Sequence, residues 1–231
     1  LHLTGNGPAG GNNNTFADSS TNNVAITRNG TVTQGSFSPF PLNTNAPYNP
    51  SVHGASAYFD GDGDYLRCTG TALGSGNFTI EFWSYPLALR SNAPYFDTTG
   101  GLMIRQNTAN ILVYDRSNGT SWTTTGDRCM LNAWNHIAVV KSSGTITVYI
   151  NGISAGSSAN STNFTPTDYW IGGFINTQAT PNAYYGYLSG FRVTVGTAIY
   201  TAAFTPTNRP FGTLTNNLLT FSEDFRSYSL A

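Results

Sequence analysis

The chain has 231 residues, 9% of them charged, with a formal net charge of -1 at pH 7 and a sequence pI near 6.3. So even a balance, with Lys141 the sole lysine and the arginines scattered, excludes a surface that tracks nucleic-acid phosphates. No run reaches the roughly 18 apolar residues of a membrane-spanning helix, while 39% hydrophobic and 13% aromatic residues exclude a disordered tail.

No window keeps a helical period, and strand patterns recur between turn clusters instead. Residues 24–28 and 31–33 flank Asn29-Gly30 and predict a short hairpin. A Pro/Asn-rich loop follows over 38–50. Residues 57–59 and 65–68, on either side of the 60–64 turn, predict a second hairpin. Residues 78–85 alternate, with Phe78, Ile80, Phe82 and Ser84 on one face. Residues 102–105 and 110–114 are two shorter strands. The strongest pattern runs from Trp134 to Lys141, turns at 142–144, alternates over 145–150, and turns again at Asn151-Gly152 into 153–155. Residues 169–172 and 185–195 supply the last strands. Residues 1–211 read as one sandwich, and 212–231 as a linker and the start of a following module.

The low charge is replaced by 25 Asn, 32 Thr, 25 Gly and 11 Pro, which suit turns and the solvent faces of strands. Such a surface is typical of rigid extracellular or virion-borne β proteins. The start at Leu1, with no signal-peptide pattern, reads as a stretch of something longer. The N-x-S/T sequons at Asn13, Asn29, Asn77, Asn118, Asn160 and Asn163 are as many as this Ser/Thr content gives by chance. Cys68 and Cys129 are too few for a disulfide framework and read as buried free thiols, with a single bond between them as the alternative.

Taken in order, Asp60-Gly61-Asp62-Gly63-Asp64-Tyr65-Leu66, FTIEFW at 78–83, WNHIAVVKSSGTITVYINGISAG at 134–156 and YYGYLSGFRVTVGTAIYTAAFTP at 184–206 resemble one family. It is the laminin-G-like/pentraxin branch of the concanavalin A-like lectin/glucanase superfamily. The resemblance implies an all-β fold, a two-sheet antiparallel jelly-roll sandwich. TFADSSTNNVAITRNG at 15–30, QGSFSPF at 34–40 and NNLLTFSEDF at 216–225 resemble a sub-type found in virion proteins of marine tailed phages. That likeness implies a non-enzymatic structural and adhesion module of a tail fibre or capsid surface. Its partners would be other virion proteins and host-surface glycans, and it would form a homo-oligomer, with a trimer favoured. The alternatives are a secreted or cell-surface lectin or adhesin and, less in keeping with the residues, a glycoside hydrolase.

Asp60, Asp62 and Asp64 are spaced like calcium ligands, but position 12 of such a loop is Thr71 instead of a bidentate Glu. The stretch reads as a turn. Pentraxin-like relatives hold calcium with acids in the loop that corresponds to 174–184, and that loop here has no carboxylate. No cofactor is therefore expected, and Asp97 is the one acid kept as a rim ligand for a metal. Retaining or inverting hydrolysis needs two carboxylates, whereas Glu81 is followed at i+2 and i+4 by Trp83 and Tyr85, and the other glutamate is Glu223. His2, His53 and His136 read as structural, and no G-x-S-x-G elbow occurs. What remains is sugar chemistry, an aromatic platform beside amide hydrogen-bonders. Trp122, Asn176, Gln178, Asn182 and Tyr184 are the candidate glycan-binding residues at the loop rim. Trp83, Trp134 and Trp170 are assigned to the core.

Overall fold

The computed structural model describes residues 1–3, 14–40, 53–175 and 183–211. Its strands are β1 (His2–Leu3), β2 (Ile26–Asn29), β3 (Thr33–Gly35), β4 (Ser56–Asp60), β5 (Tyr65–Thr69), β6 (Phe78–Pro86), β7 (Ser91–Thr98) and β8 (Leu102–Asn107), followed by β9 (Asn110–Asp115), β10 (Thr120–Thr123), β11 (Asn135–Ser142), β12 (Thr145–Ile150), β13 (Ile153–Ala159), β14 (Asp168–Ile171) and β15 (Tyr185–Val195). They form two antiparallel sheets. The first runs β13-β12-β11-β6-β15-β4-β3, with β1 beside β15, and the second runs β10-β9-β8-β7-β14-β5-β2. The expected two-sheet sandwich is present. The expected loop at 38–50 and linker at 212–231 lie mostly or wholly outside the described residues.

Strand parity builds the core. Phe78, Ile80 and Phe82 of β6, Ile137 and Val139 of β11, and Val148 of β12 point inward and are fully buried. The second sheet answers with Tyr95, Leu102, Ile104 and Ile111. Phe82 stacks on Phe191 of β15 at 5.2 Å and tilts against Tyr95 at 5.0 Å. Each such ring contributes about 1.5–3 kcal/mol by burial.

Two expected hairpins are not hairpins. β2 pairs with β5 and β3 with β4, so Asn29-Gly30 carries the chain from one sheet to the other. β4 and β5 likewise belong to different sheets, and the 60–64 turn is a second crossover. Buried Asp64 explains both. It accepts the Thr31 backbone N–H at 2.5 Å and the Asp60 N–H at 3.0 Å, pinning the two crossovers together. A Cβ at Gly30, where φ is +74°, would strike that carboxylate.

The outer face of the first sheet carries a second apolar layer. Ala138, Val140 and Tyr149 pack under Ala198, Tyr200 and Phe204 from the segment after β15. Tyr200 and Phe204 stack at 3.6 Å, and the Phe204 N–H donates to the Gly152 carbonyl at 2.9 Å. Phe40 covers Trp83 from the other side of the face at 6.1 Å.

Candidate functional site

Glu81 projects outward from β6 into this second layer and is fully buried. Its Oε1 accepts from Arg192 Nε at 2.9 Å and Nη2 at 2.5 Å, and Oε2 accepts from the Tyr200 hydroxyl at 2.8 Å. His136 Nε2 stands 3.3 Å from Oε2, ringed by Trp83, Tyr200, Phe204 and Phe211 at 5.0–6.2 Å. Burial pushes the Glu81 carboxyl up, but the adjacent His136 and the Arg192 charge outweigh it and hold it below the ordinary glutamate value. This is an anion committed to the fold and sealed from solvent.

Of the predicted rim residues, Asp97, Trp122 and Tyr184 are among the described ones, and they stand on β7, on β10 and just before β15. Asp97 does not stand at the rim: it is fully buried, and both its oxygens accept hydrogen bonds. Arg116 Nε and the Thr98 N–H donate to Oδ1, each at 2.9 Å, while Arg116 Nη2 at 2.7 Å and the Ile175 N–H at 3.1 Å donate to Oδ2. A hard cation would need those oxygens free. Asp60, Asp62 and Asp64 form the crossover turn, with Asp60 accepting the Asp62 N–H and the Thr31 hydroxyl. Among the described residues no group of three or more His, Cys, Asp or Glu converges as a metal site would.

Tyr184 is a core residue, 0% exposed, with its ring against Tyr95 and its hydroxyl bonded to Ser84 and to the Tyr187 carbonyl. It precedes β15 by one position, and in a strand one position reverses the face. Trp122 sits half-buried on edge strand β10, packed on the main core and over Gly156, where a Cβ would come within 3.2 Å of its ring. Asn176, Gln178 and Asn182 lie outside the described residues.

A larger aromatic surface lies elsewhere, on the outer face of the first sheet near the start of β15. Tyr85 of β6, Tyr185 and Tyr187 of β15 and Tyr58 of β4 share that face with Trp134, which precedes β11, and with Phe37, which follows β3. Phe37, 43% exposed, contacts Tyr187, Tyr85 and Trp134 at 4.8, 5.0 and 5.1 Å. Tyr58 extends the array to Tyr187 at 5.0 Å and Tyr185 at 6.4 Å. Burial and the Tyr185 hydrogen bond push the Tyr58 hydroxyl up to about 12, so it stays a neutral donor. Arg90 stacks over Tyr185 at 5.4 Å and fixes its surroundings by donating to the Gly61 and Ala183 carbonyls. Apolar ring faces edged by phenol hydroxyls suit the C–H face and polar rim of a pyranose. Trp134 thus belongs to the outer surface, not the core; Trp83 is half-buried under Phe40, and Trp170 is buried beneath Arg67 at 4.9 Å. The signal was readable: Tyr85 is one residue out of phase with the core set of β6, and Tyr185 and Tyr187 repeat at i, i+2.

Sheet order, parity and the crossovers define a jelly-roll sandwich of the concanavalin A type. The chain belongs to the Laminin_G_3 family, described as the Concanavalin A-like lectin/glucanases superfamily, whose model matches residues 60–205. Among curated proteins no sequence matches the chain. Many solved structures share the fold, and three of them illustrate it. The binding domain of Paraclostridial Mosquitocidal Protein 1 superposes with a TM-score of 0.60 at 15% identity, over 82% of this chain and 47% of that one. A mutant of HCR/D gives 0.59 at 14% identity, over 87% and 48%. Domain 4 of AbnA, a GH43 extracellular arabinanase from Geobacillus stearothermophilus, in complex with arabinotriose, gives 0.53 at 16% identity, over 76% and 84%. The chain spans about half the length of the first two, and at these identities the likeness is one of fold.

Proposed function

We propose that this sandwich is a non-enzymatic adhesion module of a tailed-phage virion, carried on a tail fibre or capsid-surface protein, that binds host-surface glycans through the outer aromatic face. The observation that carries the binding reading is the ring array on Phe37, Tyr58, Tyr85, Trp134, Tyr185 and Tyr187, with Phe37 43% exposed at its centre. The presence of arabinotriose in a domain of the same fold is in keeping with it. The virion reading is supported by the phage-like stretches at 15–30, 34–40 and 216–225 and by a surface of amides and hydroxyls in place of lysine. Such a surface packs against its own copies without burying unpaired charge, which suits a homo-oligomer, with a trimer favoured. No calcium is required, because stacking and neutral hydrogen bonds recognise the sugar. Each hydrogen bond adds only about 1 kcal/mol, and copies acting together multiply a weak site by about 10²–10⁴.

The test is a glycan array probed with the multimeric protein beside Phe37→Ala, Tyr187→Ala and Trp122→Ala variants. Binding lost in the first two and kept in the third is the expected pattern. Loss confined to Trp122→Ala would move the site to the β10 edge. No binding to any host envelope glycan would leave a structural spacer.

A further inference from the structure

The chain contains nine arginines and one lysine, and that lysine is inside. Lys141 of β11 is 0% exposed. Burying an isolated ammonium is costly, so its surroundings need an explanation. Its Nζ donates to Oδ1 of Asn160 at 3.2 Å and to the Thr162 carbonyl at 2.8 Å, with the buried Phe164 ring centroid 5.1 Å away. Asn160, directly after β13, donates from Nδ2 to Oδ2 of Asp115 at 2.8 Å. Asp115 ends β9 in the opposite sheet, is 3% exposed, and is held by the Ser117 N–H at 2.9 Å and the Thr162 hydroxyl at 2.5 Å. The Thr162 N–H donates to the same Asn160 Oδ1 at 3.1 Å, and the Asn160 backbone is fixed on the Gly144 carbonyl at 2.7 Å.

We propose that Lys141 and Asn160 join in an intramolecular isopeptide bond, with Asp115 as the acid–base group. An amine, a carboxamide, a carboxylate on the leaving nitrogen and an N–H donor on the carbonyl oxygen are the parts that transamidation needs. Burial lowers the proton affinity of Nζ against the opposing charge of Asp115, which favours the neutral nucleophile. Nζ gives up a proton to the Asp115 carboxylate and attacks Cγ of Asn160, which lies one carbonyl bond, about 1.2 Å, behind the oxygen that Nζ already touches. The charge developing on Oδ1 falls on the Thr162 N–H. As the tetrahedral centre collapses, the Cγ–Nδ2 bond breaks, Asp115 returns the first proton to Nδ2 and passes on the second proton that Nζ sheds, and the nitrogen leaves as an ammonium ion. One ammonium and one carboxamide become one secondary amide and one ammonium ion, so neither oxidant nor metal enters the balance. The bond would lock edge strand β13 to β11 at the end of the sheet where β12 turns.

The test is intact-mass spectrometry of the folded full chain, followed by chymotryptic digestion, since cleavage after Tyr149 separates Lys141 from Asn160 unless they are joined. The expected result is loss of one ammonia and a branched peptide carrying both residues. Lys141→Arg and Asn160→Ala should each restore the full mass, and Asp115→Asn should abolish or greatly slow the loss. A full, linear mass after prolonged incubation of the folded wild type overturns the proposal without reference to any variant. So does ammonia loss without the branched peptide, as a succinimide at Asn29-Gly30, Asn118-Gly119 or Asn151-Gly152 would give. Cross-linking at the wild-type rate in Asp115→Asn overturns the role of Asp115.

Discussion

Tyr200 donates its hydroxyl proton to Oε2 of Glu81 across 2.8 Å, and this bond ties the segment after the last strand to the charged centre beneath it. Because Arg192 occupies the other oxygen, the same carboxylate serves both the sheet and the chain that covers it.

That arrangement predicts a defined acid sensitivity. With the folded value of Glu81 held below the ordinary 4.5, its contribution is complete above about pH 4.5 and is lost as the pH falls through the folded value. Glu81→Gln leaves Arg192 buried without its counter-charge and should cost about 3–5 kcal/mol at neutral pH. The gap in Tm between wild type and variant should narrow steadily below about pH 4.5. A gap that stays constant down to about pH 3 would show that the carboxylate charge is not what stabilises.

Gly152 tests how the covering segment is held. Its φ is +78°, and a Cβ there would run into the Phe204 carbonyl. Gly152→Ala should displace residues 197–211 and expose Tyr200 and Phe204 to chymotrypsin while the sandwich stays folded. Protection equal to wild type would mean that the segment is fixed by its other contacts.

Asp97 separates a structural from a metal-binding carboxylate. Asp97→Ala leaves the Arg116 guanidinium and the Ile175 N–H without their acceptor and should cost about 3 kcal/mol, read as a fall in Tm of several degrees. A chelator should leave the wild-type Tm unchanged. A drop that added calcium reverses would restore a metal role to this residue or to the 60–64 turn.

Burial pushes the thiols of Cys68 and Cys129 up to about 12. At about pH 8 only about one in 10⁴ would be thiolate, so iodoacetamide should label neither in the native protein and both after unfolding. Rapid labelling of either under native conditions would place it in a segment that opens readily.

The long strands were legible because their period is unambiguous. β6 and β12 alternate over six residues or more, β11 is a continuous apolar run, and even the inward placement of Ser84 follows from parity. The two false hairpins have one cause. Asn29-Gly30 and the 60–64 turn announce a reversal, but turn chemistry is local and says nothing of which sheet receives the next strand. Asp64, which settles the matter, acts on a backbone 33 residues away. Tyr184 was misplaced by one position at a strand start, and Trp134 because a large ring near a strand reads as core whichever way it faces. Lys141 stood out in the composition, but its neighbours Asp115, at the end of β9, and Asn160, directly after β13, meet it only through folding.

With its single lysine inside, the module offers no side-chain amine to solvent. Amine-directed fluorophores, aldehyde fixatives and ester-activated supports would find no lysine to attack on the folded surface. Attachment of a probe through a side chain of the folded module would have to use carboxylates or an introduced surface cysteine.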